Sequence, residues 1–286
     1  MRPLPVRFAS VRASAPEYQP EQCPYPTVMV DITHRCNMTC SNCYLPNRVI
    51  PDPPVSWLLD AMRRLPRRTQ IRLVGGEPTV RKDLPDIIRA VRSHHHHPWV
   101  LTNGLKLAEA AYVRELKEAG LRMVYLSMNG GRDEAAYDAI GESCGDAKVR
   151  ALDHLCREQM YVAVGMILVR GVNEHLVAPA LRDLLTRHMV REFHLRSIGP
   201  FGRYMKNAPF TLDELIDLFA AAAGVSRDAL PPAPPDRSFV DFRWGPRLKI
   251  QLTQWPDLNS EVRGRLTPEG TIQPFFEHMI ANDGGY

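Results

Sequence analysis

The feature that most constrains this chain is a group of three cysteines placed directly after an apolar run. The run from Val28 to Ile32 predicts a buried β-strand. The polar loop that follows places Cys36, Cys40 and Cys43 at C-x3-C-x2-C spacing. A buried strand that delivers three thiols to one short loop indicates a metal site rather than a structural role for these cysteines.

The spacing of the cysteines favours an iron–sulfur cluster over zinc. A tetrahedral zinc site normally takes four protein ligands in two separated pairs, and no second C-x2-C pair follows in the sequence. Iron–sulfur clusters are also held by cysteine thiolates. Three ligands on a four-iron cluster would leave one iron open to another group. Buried thiols and a zinc site are the alternatives.

Composition sets the outer bounds. The chain has 286 residues, of which 44% are apolar, and a formal net charge of +4. This length and apolar content predict one large α/β domain, alone or with an extension, and a sizeable core. The mild basic excess does not by itself predict a nucleic-acid surface.

The cysteines and the apolar runs also indicate the compartment. Six cysteines, three of them crowded together, do not form the pattern of a disulfide framework and fit a reducing environment. No run approaches the roughly 18 apolar residues of a membrane span, and the N-terminus lacks the apolar segment of a secretory signal. We therefore expect a cytoplasmic protein that contacts no membrane.

Apolar runs alternate with amphipathic segments from residue 27 to residue 198. Strands are predicted at 28–32, 71–74, 99–102, 124–128, 162–169 and 193–198. Helices are predicted at 56–65, 83–93, 108–119, 133–140, 148–159 and 174–188. This alternation predicts a parallel sheet with right-handed crossovers and helices on its outer face. Six strand–helix units fall short of the eight in a closed barrel.

Polar residues follow every predicted strand. They are Cys36, Cys40 and Cys43 after the first, Glu77 after the second, Thr102 and Asn103 after the third, Ser127 and Asn129 after the fourth, Asn173 after the fifth, and Arg196 and Ser197 after the sixth. The carboxyl ends of parallel strands in such folds carry the chemistry. The sequence therefore predicts one polar site at this rim.

A second motif joins the cysteine loop. The segment 71–78 reads IRLVGGEP, an apolar strand that ends in Gly75, Gly76 and Glu77. In this order, the two motifs resemble those of the radical S-adenosylmethionine (radical SAM) enzymes. The resemblance implies an α/β fold, an open (β/α)6 partial barrel, with one [4Fe-4S] cluster on the three cysteines. It also implies that S-adenosyl-L-methionine chelates the free iron and is cleaved reductively to a 5′-deoxyadenosyl radical.

The resemblance also implies which residues contact S-adenosylmethionine. Glu77, after the permissive pair Gly75 and Gly76, is expected to contact the methionine ammonium. Ser127 and Asn129 match positions that usually meet the ribose or the carboxylate. The remaining candidates are the backbone of Asn42 and the side chain of Ile167 for the adenine, Thr102 and Asn103 at the end of the third strand, and Arg196 as a carboxylate binder for cofactor or substrate.

Beyond the predicted core, the chain is less regular. We divide it into an N-terminal extension (1–26), the core (27–205) and an α+β C-terminal extension (206–286) that closes the barrel or completes the substrate pocket. A capping box at residues 211–214 opens a helix, residues 247–252 predict a strand, and residues 264–275 predict a hairpin. The chain resembles the molybdopterin-precursor-cyclase branch of the family. However, the last cysteine is Cys156, so the C-terminal cluster cysteines of that branch are missing and we expect one cluster.

These observations predict a radical SAM enzyme that abstracts a hydrogen atom from a small polar metabolite. An external one-electron reductant of the flavodoxin or ferredoxin type is implied by the same resemblance. Modification of a peptide or an RNA is the alternative within the family, and nucleic acid is disfavoured because no strongly basic stripe is present. A non-catalytic iron–sulfur or zinc protein is the alternative from another class.

Overall fold

The computed structural model describes residues 16–41, 43, 45, 51–142, 144–199, 208–255 and 263–275. Its strands are β1 (Thr27–Thr33), β2 (Gln70–Gly75), β3 (His97–Thr102), β4 (Met123–Ser127), β5 (Tyr161–Leu168), β6 (Val190–Ser197), β7 (Phe239–Trp244), β8 (Leu248–Thr253), β9 (Arg263–Leu266) and β10 (Ile272–Pro274). Its α-helices are α1 (Val55–Arg64), α2 (Leu84–Ser93), α3 (Ala110–Glu118), α4 (Glu134–Ala139), α5 (Gly145–Arg157), α6 (Val177–Thr186) and α7 (Leu212–Ala223).

The strands form one sheet in the order β10-β9-β1-β2-β3-β4-β5-β6-β8-β7. Strands β1 to β6 are neighbours in chain order and pair in parallel throughout. Helices connect them, because a parallel pair requires a crossover. The predicted (β/α)6 arrangement with an α+β extension is confirmed.

The parallel sheet extends beyond the six predicted strands at both ends. Strand β8 pairs in parallel with β6, and β9 pairs in parallel with β1. The hairpin predicted at residues 264–275 is formed by β9 and β10, which pair antiparallel. The C-terminal residues therefore flank the core strands on both sides. Their expected role in completing a substrate pocket stays a prediction.

The two faces of the sheet differ in chemistry. The outer face packs against the helices through apolar side chains such as Val30, Leu73 and Leu126, all fully buried. Because side chains alternate along a strand, the residues between them point to the inner face, where Asp31 and Arg72 lie. None of the helices in the described ranges combines the length and apolar composition needed to span a bilayer.

Arg81 holds the carboxyl end of β1 in place. Its Nη1 donates to the carbonyls of Ile32 (2.7 Å) and Pro53 (3.2 Å), and its other nitrogens bind the Asp83 carboxylate at 2.8 and 2.6 Å. This guanidinium holds the pKa of Asp83 below its usual value. Asp83 is the residue before α2, but its side chain makes no cap bond. The buried arginine instead fixes the strand that leads into the cysteine loop.

The predicted capping box is present. Thr211 Oγ1 accepts from the Glu214 amide at 3.2 Å, and Glu214 Oε2 accepts from the Thr211 amide at 2.8 Å. The reciprocal pair satisfies two amides that a helix start leaves without partners. It opens α7, the helix between β6 and the two strands that follow on that side of the sheet.

Candidate functional site

A cavity of about 210 Å³ lies at the carboxyl ends of the core strands. The predicted site residues that line it are Cys36, Cys40, Cys43, Gly75, Gly76, Glu77, Thr102, Asn103, Ser127, Asn129, Ile167 and Arg196. Asn42, the other predicted site residue, lies outside the described residues. The structure therefore gathers side chains from five strands and the cysteine loop around one space.

The three cysteines are half-buried in the wall of this cavity. Burial, reinforced by the charge of Glu142, raises the pKa of the Cys40 thiol to about 12. Iron must therefore displace the Cys40 proton when it binds, because thiolates are the ligands. Ser41, within the same loop, donates its amide to the Ile140 carbonyl at 3.2 Å, which ties the loop to the segment after α4.

The donor set of the cavity suits an iron–sulfur cluster. Cys36, Cys40 and Cys43 line one cavity, and iron–sulfur clusters are held by cysteine thiolates. In a four-iron cluster, each thiolate binds a different iron, so the sulfur atoms need not converge on one point. Cys36, Cys40 and Cys43 would hold that cluster.

The paired glycines bring the end of β2 against the cysteine loop. A Cβ on Gly75 would lie 1.9 Å from the Thr33 carbonyl oxygen, and one on Gly76 would lie 2.3 Å from the Arg35 carbonyl oxygen. The Gly76 amide donates to Thr33 and the Glu77 amide donates to Arg35, each at 2.8 Å. The close approach of these glycines is thus to the backbone that enters the cysteine loop.

Glu77 joins the ends of β2 and β3. Its Oε1 accepts from the Thr79 amide (3.0 Å), the Thr79 hydroxyl (2.7 Å) and the Thr102 hydroxyl (2.7 Å), and its Oε2 accepts from the Asn103 amide (2.7 Å). Burial raises the pKa of Glu77, while these hydrogen bonds oppose the shift. The side chain is thus held by four donors. Its contact with a methionine ammonium stays a prediction.

The opposite wall is formed at the ends of β4 and β5. The Asn129 side chain accepts from the Ile167 amide at 2.7 Å and donates to both oxygens of Glu142 at 3.1 Å. Asn173 Nδ2 donates to the carbonyls of Asn129 and Ile167, each at 2.8 Å. The amide of Asn129 therefore bridges the two strands and positions Glu142.

Sequence reasoning missed the buried ion pair behind this wall. Lys148 is fully buried, and its Nζ lies 3.2 Å from Glu142 Oε2 and donates to the Ser127 carbonyl at 3.1 Å. Glu142 is nearly as buried and lines the cavity. A signal was present: Lys148 lies at i and i+4 spacing with Leu152, on the apolar face of α5. A lysine in that position needs a buried partner.

Below the cavity, the inner face of the sheet carries charge. Four of its arginines are Arg72 on β2, Arg196 on β6, and Arg263 and Arg265 on β9. The Arg72 guanidinium lies over the Trp99 ring, 4.9 Å from its centroid. Burial and the neighbouring Arg263 lower the pKa of Arg72 to about 10, so it remains protonated at neutral pH.

Two carboxylates lie on the same inner face. Asp31 Oδ2 is 2.8 Å from Arg265 Nε, and Glu192 Oε2 is 2.8 Å from His194 Nε2. Burial lowers the pKa of His194, so its imidazole is neutral near pH 7. Lys249 pairs with Asp241 at 2.9 Å and adds no net charge. Among the described residues, these four guanidinium groups outnumber the two carboxylates, which leaves a positive excess.

Known proteins resemble this chain in sequence. The Radical SAM superfamily model matches residues 30–184. A 7,8-dihydro-6-hydroxymethylpterin dimethyltransferase from Methanocaldococcus jannaschii is 32% identical over 163 residues, which cover 54% of this chain and 32% of that protein. A GTP 3′,8-cyclase from Campylobacter curvus is 26% identical over 279 residues, 88% of this chain and 81% of that protein. The chain spans about half of the length of several other curated relatives.

Solved structures share the fold. SuiB from Streptococcus suis, solved bound to S-adenosylmethionine, has a TM-score of 0.60 at 14% identity, over 70% of this chain and 47% of SuiB. It was also solved bound to its precursor peptide SuiA. At this identity the likeness concerns the fold alone.

The family match and the site agree. The match covers more than half of the chain, and the cysteines that it includes line the cavity at the strand ends. Three thiols in one loop suit a four-iron cluster that leaves one iron for S-adenosylmethionine. The chain therefore belongs to the Radical SAM superfamily and is an enzyme of that class, whose cofactors are a [4Fe-4S] cluster and S-adenosylmethionine.

Proposed function

We propose that this enzyme abstracts a hydrogen atom from a small anionic metabolite held on the inner face of the sheet. When bound, the cluster and S-adenosylmethionine supply the 5′-deoxyadenosyl radical for that step. The protein's own residues bind the cluster, orient the cofactor and hold the substrate. Flavodoxin or ferredoxin is the proposed reductant, and the cytoplasm, where thiols stay reduced, is the proposed compartment.

The observation that supports an anionic substrate is the positive excess on the inner face. Guanidinium groups suit carboxylate and phosphate groups because their planar donors can bind both oxygens. Arg263 and Arg196 are each close enough to Arg72 to lower its pKa. Positive charges held together in a partly buried space repel one another, so they favour the binding of an anion between them.

The charged face is continuous with the cofactor cavity. Arg196 and Tyr125 line the cavity, and the Tyr125 ring lies against the His194 ring with centroids 5.3 Å apart. A Cβ on Gly165 would lie 2.0 Å from the Tyr125 hydroxyl oxygen, so this glycine leaves room for the tyrosine. A substrate bound by Arg196 would thus lie next to the cofactor.

The names of relatives support a small molecule. A pterin and GTP appear in the names of the two relatives described above. The precursor peptide bound by SuiB supports the alternative, peptide modification, only through a shared fold. We therefore place the small metabolite first and treat a peptide or RNA substrate as an outcome of the test.

The test begins with anaerobic reconstitution, dithionite and S-adenosylmethionine, with 5′-deoxyadenosine as the measured product. Cys36→Ala, Cys40→Ala and Cys43→Ala should each abolish its formation. Cell extract is then separated by anion exchange and by size. We expect the fraction that stimulates 5′-deoxyadenosine formation to be small and retained on the anion exchanger.

Two variants link that stimulation to the arginines. Arg263→Gln should lose most of the stimulation, while Arg150→Gln, at an exposed position on α5, should keep it. Stimulation by a neutral fraction would refute the anionic substrate. Stimulation by a peptide or RNA fraction would establish the alternative.

A further inference from the structure

The pair of His194 and Glu192 leaves one ring nitrogen of the histidine available. His194 Nε2 lies 2.8 Å from Glu192 Oε2. Because an ionised carboxylate only accepts hydrogen bonds, Nε2 carries the hydrogen of the neutral ring and Nδ1 is an acceptor. Among the described residues, Nδ1 forms no hydrogen bond, yet it is not sealed from solvent. It therefore reaches the open space of the inner face.

His194 lies next to the cofactor cavity. Its Cα partners are Gly165 on β5 and Gln251 on β8, and Gly165 lines the cavity. The Tyr125 phenol occupies the space of the missing Gly165 side chain and meets the His194 ring at an interplanar angle of 74°. Because residues two apart on a strand point to the same face, His194 and Arg196 share that space.

The protonation of His194 depends on the groups around it. The charged or titratable side chains near this pair are Arg72 from β2, Tyr125 from β4, Glu192 and Arg196 from β6, and Lys249 from β8, which acts on Glu192. Burial lowers the pKa of His194, Glu192 opposes this shift, and the two arginines add to it. Burial raises the pKa of Glu192, but the bond with His194 and nearby positive charges bring it below its usual value. Near pH 7 the pair is therefore a neutral imidazole beside a carboxylate.

An anion on this face would change that balance. Arg72 and Arg196 disfavour a further positive charge on His194. An opposite charge within about 4–6 Å favours the charged form of a group, so a bound anion offsets the effect of the arginines. The protonated ring donates from both nitrogens, one to Glu192 and one to the anion. Charge-assisted hydrogen bonds of this kind are the strong ones.

We propose that His194 takes up one proton from solvent when the anionic group of the substrate binds, and that it donates its Nδ1–H to that group. The proton joins the lone pair of Nδ1, no other covalent bond changes, and no electron is transferred. Glu192 acts as a positioning residue, because it orients the ring and stabilises the imidazolium. The inference rests on the proposed anionic substrate and makes its affinity depend on pH.

Sulfate is the probe for this proton uptake, because it accepts hydrogen bonds and does not itself titrate near neutral pH. Its binding to the anaerobically reconstituted protein is measured by equilibrium dialysis of the radiolabelled ion, from about pH 6 to pH 8.5 at constant ionic strength. A group that is neutral before binding and protonated in the complex makes affinity fall as pH rises. One proton per anion corresponds to a fall of up to about tenfold per pH unit.

Three variants assign the proton. His194→Gln keeps a donor for Glu192 but cannot titrate, so its affinity for sulfate should vary less than about twofold over the same range. His188→Gln, at an exposed position before β6, is the control and should keep the wild-type slope. Glu192→Gln should move the slope to lower pH, because the imidazolium loses its counter-charge.

The outcomes separate this inference from the proposed function. Arg263→Gln should weaken the binding of sulfate, which locates the ion on the inner face. Binding that Arg263→Gln weakens but that does not vary with pH in the wild-type protein would overturn the role of His194 and leave the anionic site intact. A slope that persists in His194→Gln would also overturn it. Wild-type protein without saturable binding would refute the anionic site and the proton uptake together.

Discussion

The two walls of the cofactor cavity are built on different principles. At the ends of β2 and β3, Glu77 is surrounded by donors from its own wall, and the glycines press against the cysteine loop. At the ends of β4 and β5, the Glu142 carboxylate is held by the buried Lys148 ammonium and the Asn129 side chain. The first wall thus holds its carboxylate with uncharged donors, and the second holds its carboxylate in an ion pair.

The largest expected effect is on the ion pair. Glu142→Gln should lower the free energy of unfolding by about 3–5 kcal/mol, because it leaves the Lys148 ammonium buried and unpaired. Adding Lys148→Met should restore most of the loss. Urea denaturation of the cluster-free protein measures both variants. A double variant as unstable as the single one would show that the wall does not depend on charge pairing.

The Glu77 wall should respond differently. Glu77→Gln places an amide group against hydrogen-bond donors. It should lower the free energy of unfolding by about 2–4 kcal/mol, since buried donors lose their acceptor. Thr102→Val added to this variant should recover only part of the loss, because three other donor bonds remain affected. Glu118→Gln on the exposed side of α3 serves as the control in the same urea titration. Full recovery in the double variant would remove the contrast between the walls.

The next largest effect is expected from a substitution where β2 contacts the cysteine loop. Gly76→Ala forces a Cβ against two backbone carbonyls, which costs about 1–3 kcal/mol and displaces the loop. We expect less iron and sulfide per chain after reconstitution. Gly131→Ala is the control, because it strains a residue with a φ of +59° while its Cβ would meet nothing within 4 Å. Equal iron content in the two variants would contradict this account of the paired glycines.

The smallest effect concerns pH. Asp52 accepts from Thr33 Oγ1 at 2.6 Å and pairs with Arg35, and these contacts hold its pKa below the usual value against the effect of burial. A carboxyl group whose pKa is lower in the folded than in the unfolded protein adds stability at pH values above its unfolded pKa. That stability is lost as the pH falls through the folded pKa. Asp52→Asn should cost less than about 1 kcal/mol at pH 7, because Arg35 is largely exposed.

The pH dependence of the Asp52→Asn variant distinguishes an effect of the Asp52 charge from an effect of its packing. The difference in urea midpoint between wild type and Asp52→Asn should shrink below about pH 4. A difference that stays constant from pH 7 to pH 3 would mean that Asp52 acts through packing rather than charge.

The β2 part of the first wall could be predicted from sequence because its residues are contiguous. Gly75, Gly76 and Glu77 follow one strand and form a motif with the cysteine loop. The β4–β5 wall draws Ser127, Glu142 and other residues from a long stretch of chain, and only the fold brings them together. Glu142 follows a short helix and is separated from Lys148 by five residues, so it resembles a surface charge in the sequence.

Long-range strand pairing was the other limit. The alternation of strands and helices predicts the six core strands from local pattern alone. Nothing near Arg263 or Arg265 in the sequence indicates that β9 pairs with β1 and turns these arginines to the inner face. The hairpin was predictable from its turn, whereas its position in the sheet depends on pairing with residues at the other end of the core.

The pairing of β1 with β9 also sets an order of events during synthesis. Thr27 pairs with Arg263, so the ribosome must add more than two hundred residues after β1 before its second neighbour exists. At 5–20 residues per second this takes about ten to fifty seconds, and an unpaired strand edge can pair wrongly in that time. Iron delivered earlier would reach a cysteine loop whose supporting strand is bonded on one side only.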